Sequence, residues 1–82
     1  MWFVYILLCR DGSLYTGVTN NLPRRLKDHK DGKGGSYTRS HPPKKIIFSE
    51  RARTRGQAQA REAAIKRLPR AKKLQLIRFH KS

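Results

Sequence analysis

The stretch Val4–Gly17, "VYILLCRDGSLYTG", decides how the chain folds. An apolar run ends at Cys9, an Asp-Gly turn signal follows, and a second apolar stretch begins at Leu14. This pattern is a hairpin, with strands over residues 2–9 and 14–19. Strand side chains alternate between faces, so the length of the turn decides which of them meet. With a two-residue loop, Asp11-Gly12, Tyr5 and Tyr15 end on opposite faces. With a three-residue loop, Arg10-Asp11-Gly12, Gly12 takes the left-handed conformation. Cys9 then stands opposite Ser13, Leu7 opposite Tyr15, and Tyr5 opposite Gly17. The second register sorts the side chains better. Val4, Ile6, Leu8, Leu14 and Val18 share an almost purely aliphatic face, and Tyr5, Leu7, Tyr15 and Gly17 share the other. We therefore expect the longer loop, both tyrosines on one surface, and Gly17 leaving room beside the Tyr5 ring.

Beyond the hairpin, "NNLPRRLKDHKDG" has Asn for a helix cap, Pro in the first turn and Gly32 past the end. Leu22 and Leu26 face the core at i,i+4, and Arg25 and His29 share an adjoining face. "GKGGSYTRSHPPKK" reads as a loop, and "KIIFSE" as a short third strand. A helix is expected from about Thr54 to Arg67, with Ala58, Ala64, Ile65 and Leu68 inward. Pro69 breaks it and starts a last helix with Leu74 and Ile77 inward. The order is β-β-α-β-α-α, an α+β domain over residues 1–82 in which helices pack on a small mixed sheet.

The bulk signal is charge. Twenty Lys and Arg oppose five Asp and Glu among 82 residues, a formal charge of +15. Such a chain repels itself when folded, and the excess suits a polyanion. Nucleic acid comes first, because each phosphate neutralised releases counterions. A ribosomal or anionic membrane surface is the rival reading. The apolar run "WFVYILLC" is too short to cross a bilayer and has no basic segment before it, so no membrane span or signal peptide is expected. A single cysteine, Cys9, excludes an internal disulfide and a cysteine zinc site. We read Cys9 as a buried structural thiol and the location as cytoplasmic.

Residues 51–82 carry eleven Lys and Arg and one acid, Glu62. It lies about 60° around its helix from Ile65, at the border of the inner face. It reads as an i,i+4 partner of Lys66, as a solvated edge residue, or as the ligand of a divalent cation. Mg²⁺ takes one or two carboxylates and completes its shell with waters and phosphate oxygens.

"VYI" on the first strand, "YTG" on the second, "RRL" with His29 on the next helix and "REAAIK" on the following one resemble the GIY-YIG nuclease superfamily. With "DGSLYTG", "GKGGSYTR" and "REAAIKRLPRAKKLQLI" in order, the chain resembles the small stand-alone bacterial members along essentially its whole length. Val4 replaces the initial Gly of the first motif, and Thr16 is the middle residue of the second. The resemblance implies a three-stranded antiparallel sheet flanked by helices, and hydrolysis of a phosphodiester assisted by one Mg²⁺ or Mn²⁺. It assigns Tyr5 as general base, Tyr15 as positioner of water or phosphate, Arg25 as the catalytic arginine, His29 as alternative base or relay, and Glu62 as metal ligand. Tyr5 in that role needs nearby cations to lower its pKa from about 10. Arg24, Tyr37, Thr38, Arg39 and Lys66 are candidates to touch substrate. Tyr37 and Thr38 read equally as caps of their loop, and Lys66 as a partner that orients Glu62. DNA is the expected substrate, with RNA second, and a partner protein is a candidate source of specificity. Rival readings are a non-cutting binding module of the same fold and a structural subunit. Taken singly, the tyrosines read as packing, Arg25 as a phosphate contact and His29 as a solvated helix residue.

Overall fold

The computed structural model describes residues 1–79. Its elements are β1 (Trp2–Cys9), β2 (Leu14–Thr19), α1 (Leu22–Lys30), α2 (Ser36–Ser40), β3 (Pro43–Ala52), α3 (Arg55–Lys66) and α4 (Arg70–Phe79). The strands form one sheet in the order β2-β1-β3. Both pairings are antiparallel, so the mixed sheet suggested by residue patterning is corrected to the fully antiparallel one implied by the family resemblance.

The hairpin has the three-residue loop. Tyr5 pairs with Gly17, Leu7 with Tyr15 and Leu8 with Leu14. The Cys9 amide donates to the Ser13 carbonyl at 2.9 Å, and Gly12 has φ of 85°, the left-handed conformation that closes the turn. Val4 and Ile6 join Phe48, Ala58 and Ile65 in the core, and Trp2, Leu14, Val18, Leu76 and Ile77 pack around them. This face is covered by α3. Alternation sends Tyr5 the opposite way, to α1. Thr16, opposite Ile6, interrupts the aliphatic face and buries a hydroxyl that has no protein partner among the described residues.

On the far edge, β3 is longer than expected and starts at Pro43, opposite Cys9. An edge strand tolerates proline because its outer amides need no ladder partner. A register shift places Ile46 opposite Leu7 and Phe48 opposite Ile6, so Ile47 is extra. This bulge sets both Ile47 and Phe48 toward the core and leaves Ile46 on the other face with Leu7.

Side-chain caps start two helices. Asn21 Oδ1 accepts from the Arg24 amide at 3.1 Å, and Thr54 Oγ1 accepts from the Gln57 amide at 3.1 Å. Ala58 and Ile65, seven residues apart, form the buried seam of α3, while Ala64 is exposed. It lies about 100° around the helix from Ile65 and turns away from the sheet. In α4 the seam runs through Leu76 and Ile77, and Leu74 is 44% exposed, contrary to its expected inward position. It lies about 200° from Leu76. The segment read as a loop holds the short helix α2. No helix among the described residues is long and apolar enough to cross a membrane.

Ile65 is fully buried in the single seam that joins α3 to the sheet. Ile65→Ala is expected to cost about 2–5 kcal/mol, read as a lower urea midpoint with an unchanged m-value.

Candidate active site

The face of the sheet away from α3 carries Tyr5 and Tyr15, and α1 lays Arg25 and His29 over it. Arg25 and His29 are four residues apart, one helical turn, so both reach the same strand. The Tyr5 hydroxyl lies 2.8 Å from His29 Nε2, and Arg25 Nε donates to Tyr5 Oη at 3.4 Å. Arg25 also donates through Nη2 to the Gly34 carbonyl at 3.1 Å. His29 Nδ1 lies 2.8 Å from Thr38 Oγ1 in α2. Tyr15 adds its ring, 6.3 Å from Tyr5 and 5.2 Å from His29 between centroids.

The close approach depends on Gly17. A Cβ there would lie 2.5 Å from Tyr5 Oη and 2.6 Å from Cζ. No side chain fits, which is the physical reason for glycine opposite the tyrosine.

Burial governs the charges. Tyr5 and His29 are each 1% exposed. Desolvation pushes the Tyr5 hydroxyl up to about 12, outweighing the opposing pull of the Arg25 hydrogen bond, and the charges of Tyr15 and Glu62 add to the rise. The expected lowering by cations is thus reversed, and Tyr5 rests as a neutral phenol. Desolvation, then the nearby Arg25 charge, pushes His29 below its ordinary value, so its resting form at neutral pH is also neutral. The reading of His29 as a solvated helix residue is corrected: its helix face turns inward onto the sheet. Arg25 is held more firmly charged, chiefly by its hydrogen bond to Tyr5.

The remaining candidates divide. Tyr37 is 38% exposed; its ring lies 5.5 Å from Tyr15 and stacks on His41 at 4.3 Å. Thr38 is 2% exposed, and its hydroxyl is turned to His29. Arg24 and Arg25 line a cleft of about 520 Å³ together with Thr19, Asn21 and Asp28. Arg39 is exposed, and its Nε donates to the Gly32 carbonyl at 3.4 Å. Glu62 stands apart from the hydrogen-bonded group, paired with Lys66 at 3.6 Å. Its charge is nevertheless felt at Tyr5.

Glu62 is the residue that could hold a metal. Among the described residues no cluster of three or more His, Cys, Asp or Glu forms a chelating cage. A single half-buried carboxylate with a loosely held ammonium partner fits a hard cation that keeps most of its waters. It does not fit zinc, which takes several nitrogen or sulfur ligands.

Sequence reading missed one pair. His41 Nδ1 contacts Asp11 Oδ2 at 2.5 Å, joining the hairpin tip to the end of α2. Asp11 is held well below the usual carboxylate range, first by the Ser13 hydroxyl and then by His41. Thirty positions separate the two residues, and no local signal links them.

Gly17→Ala is expected to destabilise by about 1–3 kcal/mol, because Tyr5 must move off His29, and chemical denaturation measures the loss. The pH dependence of stability follows from His29. The unfolded chain binds a proton there below about pH 6.5, while the folded chain resists it. The stability contributed by the neutral ring is therefore complete above about pH 6.5 and is lost as pH falls through the lowered folded value. Denaturation midpoints are expected to drop on acidification, and His29→Asn to flatten that part of the curve.

Residues 1–75 match the GIY-YIG catalytic domain. A UPF0213 protein of Clostridium perfringens is 52% identical over 94% of this chain and 83% of its own length. One from Oceanobacillus iheyensis is 49% identical over 94% of this chain and 90% of its own. The solution NMR structure of a UPF0213 protein from Bacillus halodurans superposes with a TM-score of 0.59 at 42% identity, covering 94% of this chain and 83% of that one. That of an E. faecalis protein gives 0.62 at 42% identity, covering 93% and 81%. The match runs from the hairpin tyrosines through the α1 arginine and histidine to the α3 glutamate, and the chain belongs to the GIY-YIG family, whose domain carries a nuclease-type function on nucleic acids.

Proposed function

We propose that the chain is a divalent-metal-dependent endonuclease that hydrolyses phosphodiester bonds in DNA, structured or single-stranded, with residues 1–82 forming one catalytic domain. The observation that carries this reading is the buried line Arg25–Tyr5–His29, two neutral proton carriers beside a fixed cation. A core built for packing alone would have no use for an arginine between a buried tyrosine and the solvent.

Arg25 has five N–H donors. One serves Tyr5 and one serves Gly34, Tyr15 is a further acceptor within reach, and the donors left over suit phosphate oxygens, where a planar guanidinium gives paired hydrogen bonds. As an attacking water gives a proton to the Tyr5 oxygen, Tyr5 gives its own to His29 Nε2. The hydroxide so formed bonds to phosphorus, the bond from phosphorus to the leaving sugar oxygen breaks, and that oxygen takes a proton from solvent. His29 must be neutral to accept, and burial keeps it so. Tyr15 holds water or phosphate over the pair, and Arg24, Tyr37, Arg39 and Lys66 contact the strand on either side. A Mg²⁺ or Mn²⁺ ion held by Glu62 would supply positive charge for the leaving oxygen. The reading places the protein in the cytoplasm, with specificity shared with a partner protein.

Glu62→Ala is expected to abolish cleavage in a screen over nicked, branched, single-stranded and RNA substrates with Mg²⁺ or Mn²⁺, while binding persists with its steep salt dependence. Full activity in that variant would refute the assignment. Binding without cleavage by the parent protein under every metal would favour the non-cutting module.

A further inference from the structure

We propose that Thr38 is a positioning residue: its hydroxyl selects the His29 tautomer with the proton on Nδ1, which leaves Nε2 bare to accept from Tyr5. The kinetic consequence rests on the nuclease reading above. The tautomer itself is a property of the folded chain.

The direction of each hydrogen bond follows from the donors available. Arg25 Nε–H can only donate, so the Tyr5 oxygen accepts from it. The Tyr5 hydrogen then needs an acceptor inside a site where the ring is 1% exposed, and His29 Nε2 at 2.8 Å provides it. Nε2 therefore carries no proton, and in the neutral ring Nδ1 does. That N–H needs an acceptor in turn, and Thr38 Oγ1 lies 2.8 Å away. The threonine hydrogen is directed back to the Gly35 carbonyl, three residues earlier, at 3.5 Å. All protons thus point one way, from Arg25 through Tyr5, His29 and Thr38 to Gly35. The opposite tautomer would give Tyr5 two donors and leave its own buried hydrogen without an acceptor.

Thr38 is fixed in this role by its surroundings. The chain before it passes so close to the imidazole that a side chain at Gly34 would overlap the His29 ring. Arg25 holds the Gly34 carbonyl. At the other end of α2, the His41 amide bonds back to the Tyr37 carbonyl, and the His41 ring is pinned between Tyr37 and Asp11. With Thr38 itself 2% exposed, no substrate atom competes for the hydroxyl.

The test pairs nitrogen-15 NMR of the His29 ring at neutral pH with single-turnover cleavage of whichever DNA the parent protein cuts. The parent is expected to show Nδ1 protonated and Nε2 bare. In Thr38→Val the Nδ1 proton loses its acceptor while Arg25 and Tyr5 still favour a bare Nε2, so the ring should become a mixture of the two tautomers, and the single-turnover rate at saturating enzyme should fall about 100-fold, the low end of what general base catalysis supplies, with DNA affinity nearly unchanged. Thr38→Ser keeps a hydroxyl and should keep both the tautomer and the rate. A parent ring protonated on Nε2, or a valine variant with the parent tautomer and rate, would overturn the proposal. If the valine variant does not fold, the parent and serine proteins still decide: loss of the Nδ1 proton in the serine variant overturns it. A parent protein that cuts nothing counts against the nuclease reading, while the ring spectrum judges the tautomer independently.

Discussion

Tyr5 and His29 lie 24 positions apart, on a strand and on a helix, and their side chains meet at 2.8 Å, each almost wholly buried. Breaking that contact would strand two buried polar groups, each at a cost of about 1–3 kcal/mol. Most features of this side of the molecule follow from keeping it. The tyrosine must face α1, so the hairpin must turn in three residues and not two. The position opposite it must be glycine, because a methyl group would fall on the phenol. The helix must begin at its Asn21 cap so that its last turn brings His29 over the sheet.

Burial acts in opposite directions on the two partners and with one result. It raises a phenol, which is charged when deprotonated, and lowers an imidazole, which is charged when protonated. Both are driven to neutrality, and a neutral donor facing a neutral acceptor is the pairing a desolvated site tolerates best. The single full charge in contact is Arg25, which reaches the solvent side through its own partial exposure. The buried pair itself stays uncharged at rest, with the guanidinium as the fixed charge beside it.

The hairpin, its loop length and its two faces were legible because alternation is a short-range rule and only one register sorted fourteen residues cleanly. The helix starts were legible for the same reason, since Asn21 and Thr54 act on amides three positions away. What escaped was set at long range. His29 has no local mark of burial on a helix rich in charge; only the strand it meets makes it interior. Thr38 reads as a loop residue until α2 folds against α1. Ala64 and Leu74 are apolar side chains that the geometry of α3 and α4 leaves outside, because a helix seam admits one side and small errors of phase exclude a residue. Residue patterning leaves the direction of β3 open, because strand order along the chain does not by itself give direction; the family resemblance implies the antiparallel sheet that the structure has. Glu62 was found by its isolation among cations, a feature of composition and not of fold, and its placement beside Lys66 leaves its role to chemistry.

The same excess of charge that marks the partner limits the fold. Among the described residues three of the five acids form ion pairs at the surface: Asp11 with His41, Glu50 with Arg61 at 3.0 Å, and Glu62 with Lys66. Exposed pairs of this sort contribute little, because water screens them. They do not offset the mutual repulsion of a chain with a formal charge of +15. Cohesion therefore rests on a small apolar core under α3, and a second source is any polyanion that binds the folded state and not the unfolded one. Phosphates lying along Arg24, Arg25 and Arg39 would relieve part of that repulsion. Substrate binding and folding stability are coupled in such a molecule: the charge that draws in a nucleic acid is the same charge that the nucleic acid, once bound, makes bearable to the fold.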